Sequence, residues 1–285
     1  MAFNKKIIKD SILGLLLGGS IVYLSYICMS KTILMKILPN DSLTENVIFF
    51  TSIMFAPFVA IILHELGHLL AGLYQGFRLE LFVVGFLGIK RENEKVKVYF
   101  NTNIQYFGGV AATSPIKIMT DEVLIRKYRI ILLSGPSLSF VFGLIALLIL
   151  YYFDSALNPF FGLLSITSFG IFLATTIPNK SGIFFTDRKR YQRLMDKGEI
   201  GKIELAFLQI VNQSLTENTY KNLPIERIQK LKTDQDKIIQ FWGYYFEYQY
   251  FIDNNNIPLA ETVKQTLLNY KIIIPSAIWK SLLID

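Results

Sequence analysis

Long apolar stretches fill most of the chain before Pro178, and they constrain its fold more than any other feature. About 20 consecutive apolar residues are enough for a helix to cross the hydrocarbon core of a bilayer. Four stretches meet this requirement: Ser11–Met29, Val47–Tyr74, Ile130–Phe153 and Pro159–Ile177. The sequence therefore predicts an all-α membrane protein with about four transmembrane helices.

The chain after the fourth stretch has the composition of an ordinary soluble segment. Two parts of it carry apolar residues at helical spacing: Ile203–Val211 and Asp236–Ile252. We therefore predict a transmembrane domain over residues 1–187 and a soluble, cytoplasmic α-helical domain over residues 188–285. Pro224 and Pro258 lie 34 residues apart, which suits either a tetratricopeptide-type helical hairpin or a plain helical bundle.

The chain has a net charge of +7, and its basic residues are concentrated in alternate loops. Lys5, Lys6 and Lys9 precede the first stretch, and a long basic loop joins the second stretch to the third. The loop between the third and fourth stretches carries only Asp154. Because cytoplasmic loops are enriched in Lys and Arg, this alternation predicts a multi-pass protein of the cell membrane with both termini in the cytoplasm. The basic excess then reflects topology and contact with the lipid bilayer, and we expect no nucleic-acid partner.

The long basic loop also contains β-sheet signals. Leu79–Phe86 and Val96–Phe100 are apolar or alternating, and the polar run Arg91-Glu92-Asn93-Glu94 lies between them. This pattern predicts a small β-hairpin inserted at the membrane surface. Gly108 and Gly109 follow, and they suit either a tight turn or the close approach of a bound peptide to the backbone. We predict these two glycines as substrate-binding residues.

The second apolar stretch contains the run His64-Glu65-Leu66-Gly67-His68, which includes both histidines of the chain. Residues i and i+4 share one face of a helix, so both imidazoles can bind one metal ion. Zinc held by two histidines and a carboxylate keeps its fourth position open for water. Glu65 can then take a proton from that water. Because burying such residues in a bilayer is costly without a function, we predict a zinc site with His64 and His68 as ligands and Glu65 as the catalytic residue.

The third ligand must be a carboxylate, because no further histidine exists and Cys28 lies on another predicted span. Topology excludes Asp154, which emerges on the opposite side of the membrane. The remaining candidates are Glu80, Asp121, Glu122 and Asp187. Asp187 is favoured, because Pro178 and Gly182 can end the fourth helix and return the chain toward the metal.

These elements resemble the site-2 protease family of membrane zinc metalloproteases over roughly Val47 to Asp187. The resemblance includes the HELGH run, the Ser134-Gly135-Pro136-Ser137 motif of the next span, and a Pro…Asp segment after the last core span. In the family that segment supplies the third zinc ligand, which implies this role for Asp187. Thr175 and Arg188 stand where the family has Asn and Gly, and the gap from Pro to Asp is wider here.

The resemblance implies a zinc metalloendopeptidase that uses metal-activated water to cleave membrane-associated proteins or peptide precursors. A helical substrate would have to unwind, because its carbonyls are hydrogen bonded within the helix. The Leu79–Phe100 hairpin could hold the extended form by β-augmentation. The alternative is a catalytically silent membrane protein that binds a metal or a peptide, such as an immunity or export partner. Nothing in the sequence indicates an oligomeric state.

Overall fold

The computed structural model describes residues 31–39, 42–92, 94–103, 106–117, 119–181, 184–274, 279–280 and 282. The first predicted span, Ser11–Met29, lies outside the described residues, and so do the N-terminal lysines that oriented the chain. Cys28 and Gly182 lie outside them as well.

The described helices and strands follow the order that the sequence predicts, with a sheet between the second and third predicted spans. The helices are α1 (Lys31–Ile37), α2 (Leu43–Tyr74), α3 (Asp121–Tyr152), α4 (Asn158–Thr176), α5 (Asp187–Met195), α6 (Glu199–Glu217), α7 (Ile225–Lys232), α8 (Lys237–Asp253) and α9 (Ile257–Leu268). The strands are β1 (Phe77–Val84), β2 (Leu87–Glu92), β3 (Lys95–Phe100), β4 (Val110–Pro115), β5 (Lys180–Ser181) and β6 (Phe184–Phe185).

Three of the described helices are long and apolar enough to cross a membrane. Helices α2, α3 and α4 have mean hydropathies of 2.3, 2.2 and 1.5 over their most apolar 18 residues. They coincide with the second, third and fourth predicted spans. The total of four spans stays a prediction, because the first falls outside the described residues.

The chain divides into two compact units, and the first contains residues 31–64 and 135–174 of the described chain. Its core consists mainly of small residues: Ala56 and Ala60 of α2, Ala146 of α3, and Leu164 of α4. Small side chains let membrane helices approach closely. The Ser165 hydroxyl of α4 also donates a hydrogen bond of 2.9 Å to the Gly143 carbonyl of α3. Close packing and a buried hydrogen bond therefore hold this unit together.

The second unit contains residues 65–134 and 175–285. It includes an antiparallel sheet of four strands in the order β3-β2-β1-β4. The sheet packs on the end of α2 at Gly72, where an added Cβ would lie 2.8 Å from Thr113 Oγ1 of β4. A Cβ at this position would collide with the Thr113 side chain, so the glycine lets β4 lie close to the helix. The sheet is thus attached to the helix that carries the two histidines.

The predicted single hairpin is wrong in extent, because the structure has four strands. Residues 87–92 form β2 and pair with β1 on one side and β3 on the other. The chain first reverses after Gly85, whose φ of 55° lies in the left-handed region that glycine adopts easily. The polar run from Arg91 to Glu94 was expected to separate two strands. Arg91 and Glu92 instead end β2, a strand near the edge of the sheet, where such side chains can remain partly in water.

Helices α6 to α9 share one hydrophobic core within the second unit. Its fully buried residues include Ile210, Ile228, Leu231, Phe241 and Leu267. The predicted helical segments Ile203–Val211 and Asp236–Ile252 lie almost entirely within α6 and α8. Helical segments were therefore found where apolar residues recur at helical spacing. The predicted division at residue 187 stays a prediction.

Candidate metal centre

His64, Glu65 and His68 lie in the second half of α2, and all three are buried, with 6%, 8% and 9% of their surface exposed. The two histidines are four residues apart on one continuous helix, so their side chains project from the same face. Buried polar groups of this kind are costly unless they are bonded or coordinate a metal. The local geometry that the HELGH run predicts is therefore present.

Asp187 is the first residue of α5. A short hairpin joins the end of α4 to this residue. After α4 ends at Thr176, strands β5 and β6 pair, with Lys180 opposite Phe185. The Thr186 hydroxyl then accepts a hydrogen bond of 3.1 Å from the Asn179 N–H. The paired strands account for the wide gap between Pro178 and Asp187, because their residues form a small hairpin between the two.

His64, His68 and Asp187 form a group that could hold a metal ion, since each offers a ligand atom within 4.8 Å of the others. His68 Nε2 lies 3.4 Å from Asp187 Oδ2. This distance is longer than an ordinary hydrogen bond of about 2.7–3.2 Å. Two ligand atoms on a tetrahedral zinc, each about 2.0–2.1 Å from the metal, lie about 3.3–3.5 Å apart. The donor set and this distance therefore fit zinc.

Both imidazoles also have a hydrogen-bond partner from α3 at Nδ1. His64 Nδ1 lies 3.0 Å from the Ser139 hydroxyl. His68 Nδ1 lies 2.7 Å from the Ile131 carbonyl oxygen. No motif in the sequence marks Ser139 or Ile131 as such a partner. Hydrogen bonds at one ring nitrogen are the usual support of histidines that bind a metal through the other.

The other candidates for third ligand lie outside the group of possible metal ligands found among the described residues. Glu80 is buried in the sheet, where Arg78 donates to it at 2.8 Å and Ser114 donates a second hydrogen bond. Asp121 accepts a hydrogen bond of 2.5 Å from Gln209. Glu122 is exposed at the start of α3. Of the four candidates, Asp187 alone joins the two histidines in that group.

Gly108 and Gly109 lie in the turn that leads into β4. The Gly109 N–H donates to the Tyr106 carbonyl at 3.1 Å, and Gly109 has a φ of 96°. A Cβ added at Gly108 would meet nothing within 4 Å. The geometry thus agrees with a tight turn, and the substrate-binding role of both glycines stays a prediction.

A buried network of charges anchors the helix that begins with Asp187. Glu204 of α6 accepts hydrogen bonds of 2.8 Å from Arg193 Nε and 3.0 Å from Arg190 Nε. Arg193 also donates to Asp234. Burial acts to lower the pKa of both guanidinium groups, but the neighbouring carboxylates outweigh it, so each pKa is raised above its usual value. Helix α5, and with it Asp187, is therefore bound to the C-terminal helices by charge-assisted hydrogen bonds.

The two departures from the pattern of the resembled family lie at the end of α4 and at the start of α5. Thr175 is in the last turn of α4, and Arg188 follows Asp187 in the first turn of α5. The Arg188 guanidinium lies 5.2 Å from the centre of the Tyr191 ring. This cation–π contact gives the longer side chain a partner on its own helix.

Comparison with known proteins supports the same interpretation. A family model described as Peptidase family M50 matches residues 52–276, which is most of the chain. The matched region includes the HELGH run, the four-stranded sheet, Asp187 and helices α5 to α9. Comparisons with curated proteins and with solved structures gave no match.

Proposed function

The chain belongs to peptidase family M50, the site-2 protease family, and from this membership we propose that it is a zinc-dependent intramembrane endopeptidase. The family implies membrane-embedded metalloprotease activity, and three apolar helices agree with a membrane protein. The single observation that carries the proposal is the group of His64, His68 and Asp187, buried or partly buried, with Glu65 on the same helix as the histidines. We propose Zn²⁺ as the ion, because two imidazoles and one carboxylate suit it.

The residues have distinct roles in this proposal. His64, His68 and Asp187 would hold the zinc, which supplies a Lewis acid that activates water and polarises the scissile carbonyl. The Glu65 carboxylate accepts the proton of the attacking water and delivers it to the departing amine nitrogen. The water oxygen bonds to the carbonyl carbon first, and the carbon–nitrogen bond then breaks as the nitrogen takes the proton from Glu65. Burial of Glu65 keeps bulk water from competing for this proton.

The proposed substrates are membrane-associated proteins or peptide precursors. The proposed location is the cell membrane, with several spans, both termini in the cytoplasm and the bilayer in contact with the apolar helices. This topology accounts for the basic residues of the loops, so no nucleic-acid partner is proposed. Gly108 and Gly109 would lie beside the extended substrate.

Removal of the metal tests the proposal directly. We expect gently extracted protein to contain about one zinc ion per chain, measured by elemental analysis. Dialysis against a strong chelator should abolish cleavage of a reconstituted transmembrane peptide, and added Zn²⁺ should restore it. The suitable peptide is one that accumulates in cells whose protein carries Glu65→Gln. Full cleavage by metal-free protein would overturn the proposal.

Strand β3 is the part of the sheet best suited to hold an unwound substrate. It lies at one edge of the sheet, and an edge strand presents unpaired backbone groups to an added strand. Its side chains at Val96, Val98 and Phe100 are 52%, 71% and 70% exposed. We propose that the substrate pairs with β3, with these side chains beside it.

Replacing Val96, Val98 and Phe100 together with serine should lower kcat/KM at least about tenfold. Covering even about 60 Å² of apolar surface contributes about 1.5 kcal/mol, which corresponds to roughly that factor. The zinc content should not change, because these side chains are not among the proposed ligands. The control is Lys95→Ser with Lys97→Ser, on the opposite face of the same strand. Equal cleavage by the triple variant and the wild type would refute the role of β3.

A further inference from the structure

The hydrogen bonds at Nδ1 of His64 and His68 differ in whether they fix the position of the ring proton. The Ile131 carbonyl can only accept, so the Nδ1 of His68 must carry the ring proton. In the neutral ring the lone pair is then on Nε2, the atom that lies 3.4 Å from Asp187 Oδ2. A backbone acceptor therefore selects the metal-binding tautomer of His68 whatever the sequence of α3.

His64 depends instead on a side chain. The Ser139 hydroxyl, 3.0 Å from His64 Nδ1, can either donate or accept a hydrogen bond. If it donates, the ring proton is on Nε2, and that nitrogen has no lone pair for a metal. If it accepts, the proton is on Nδ1 and Nε2 can bind. The orientation of one hydroxyl thus decides whether His64 presents a ligand atom.

The setting of Ser139 suits such a role. Ser139 lies in α3 and is completely buried, while His64 is 6% exposed, so water cannot easily replace this hydrogen bond. Ile131 precedes Ser139 by eight residues on the same helix, whereas His68 follows His64 by four on α2. One helix thus supplies both hydrogen-bond partners, a side chain for His64 and a carbonyl for His68.

We propose that Ser139 is a positioning residue that accepts the Nδ1 proton of His64 and so keeps Nε2 in the orientation and tautomer that bind zinc. The inference rests on the proposed function, because it concerns the metal that His64 would hold. Outer hydrogen-bond partners of this kind typically change metal affinity by roughly 10–100-fold. The effect on His68 should be small, since its own acceptor is unchanged.

The experiment measures zinc affinity of the full-length protein in detergent by competition with a chelator of known affinity. Ser139→Ala should weaken Zn²⁺ binding roughly 10–100-fold. Ser139→Thr keeps the hydroxyl and should bind zinc within about threefold of the wild type. The matched control is Ser165→Ala, which removes another buried hydroxyl of the membrane helices, one bonded to the Gly143 carbonyl. This control should leave zinc affinity unchanged.

A spectroscopic measurement separates positioning from packing. The chain has two histidines, so histidine labelled with ¹⁵N produces two sets of ring signals. In the zinc-loaded wild type, both rings should show a protonated Nδ1 and a metal-bound Nε2. In Ser139→Ala, the Nδ1 signal of His64 should lose its hydrogen-bond shift, while the signals of His68 stay in place.

The outcomes distinguish this inference from the proposed function. If wild-type protein binds no zinc, the proposed function itself fails. If the wild type binds zinc and Ser139→Ala binds it equally well, the positioning role alone is overturned. The same holds if Ser139→Thr and Ser165→Ala weaken binding as much as Ser139→Ala, because packing would then account for all three.

Discussion

Replacing Glu65 with glutamine is expected to abolish cleavage while zinc stays bound. Glutamine has nearly the same shape, so it fits the buried position of Glu65. Its amide cannot accept the proton of the attacking water, and loss of a general base typically lowers the rate by about 10²–10⁴-fold. The measurement is single-turnover cleavage of a reconstituted transmembrane peptide, together with elemental analysis of the same sample.

The control for Glu65→Gln is Glu122→Gln, which changes an exposed glutamate at the start of α3. It should cleave like the wild type. Continued cleavage by Glu65→Gln would show that another group accepts the proton. If wild type and variant are indistinguishable in cells and both retain zinc without cleaving, the silent metal- or peptide-binding partner becomes the better account. Membrane peptides that accumulate only with Glu65→Gln would identify the substrates.

Replacing Asp187 with alanine is expected to remove the metal. The change deletes one of three proposed protein ligands, so zinc affinity should fall by more than the roughly 10–100-fold that an outer partner contributes. Cleavage should be lost with the metal. Zinc content after dialysis against a mild chelator is the direct measurement, because it does not depend on knowing the substrate.

The controls for Asp187→Ala are the carboxylates that competed for the same role. Glu80→Gln and Glu122→Gln should keep their zinc, because Glu80 is bonded to Arg78 and Ser114 while Glu122 is exposed. Helix α5 should remain in place in Asp187→Ala, since Arg193 still contacts Glu204. Melting of the variant in detergent that matches metal-free wild type would verify this, since bound zinc itself stabilises the folded state. Zinc retained by Asp187→Ala but lost from Glu80→Gln would reassign the third ligand.

Local properties of the sequence determined the three described spans and the arrangement of the HELGH run. Hydropathy over about 20 residues is sufficient to find a membrane helix, because length and apolarity are all that the bilayer requires. The helical repeat of 3.6 residues places His64 and His68 on one face without help from any other part of the chain. The same local reasoning found α6 and α8 from their apolar periodicity.

Only the tertiary structure determined which residues lie close to His64 and His68. Pro178 and Gly182 favoured Asp187 as a ligand, but they do not specify where the chain returns. Asp187 joins His64 and His68 because β5 pairs with β6 and α5 is anchored through Glu204. In the sequence, nothing distinguishes Ser139 from the other small residues of an apolar helix. The role proposed for it rests on the packing of α3 beside α2, which brings its hydroxyl to His64. Strand β2 was missed for the same reason, because its charges suggest a turn until pairing with β1 and β3 places it in the sheet. Contacts between distant parts of a chain depend on how whole elements pack, and periodicity within one element cannot specify them.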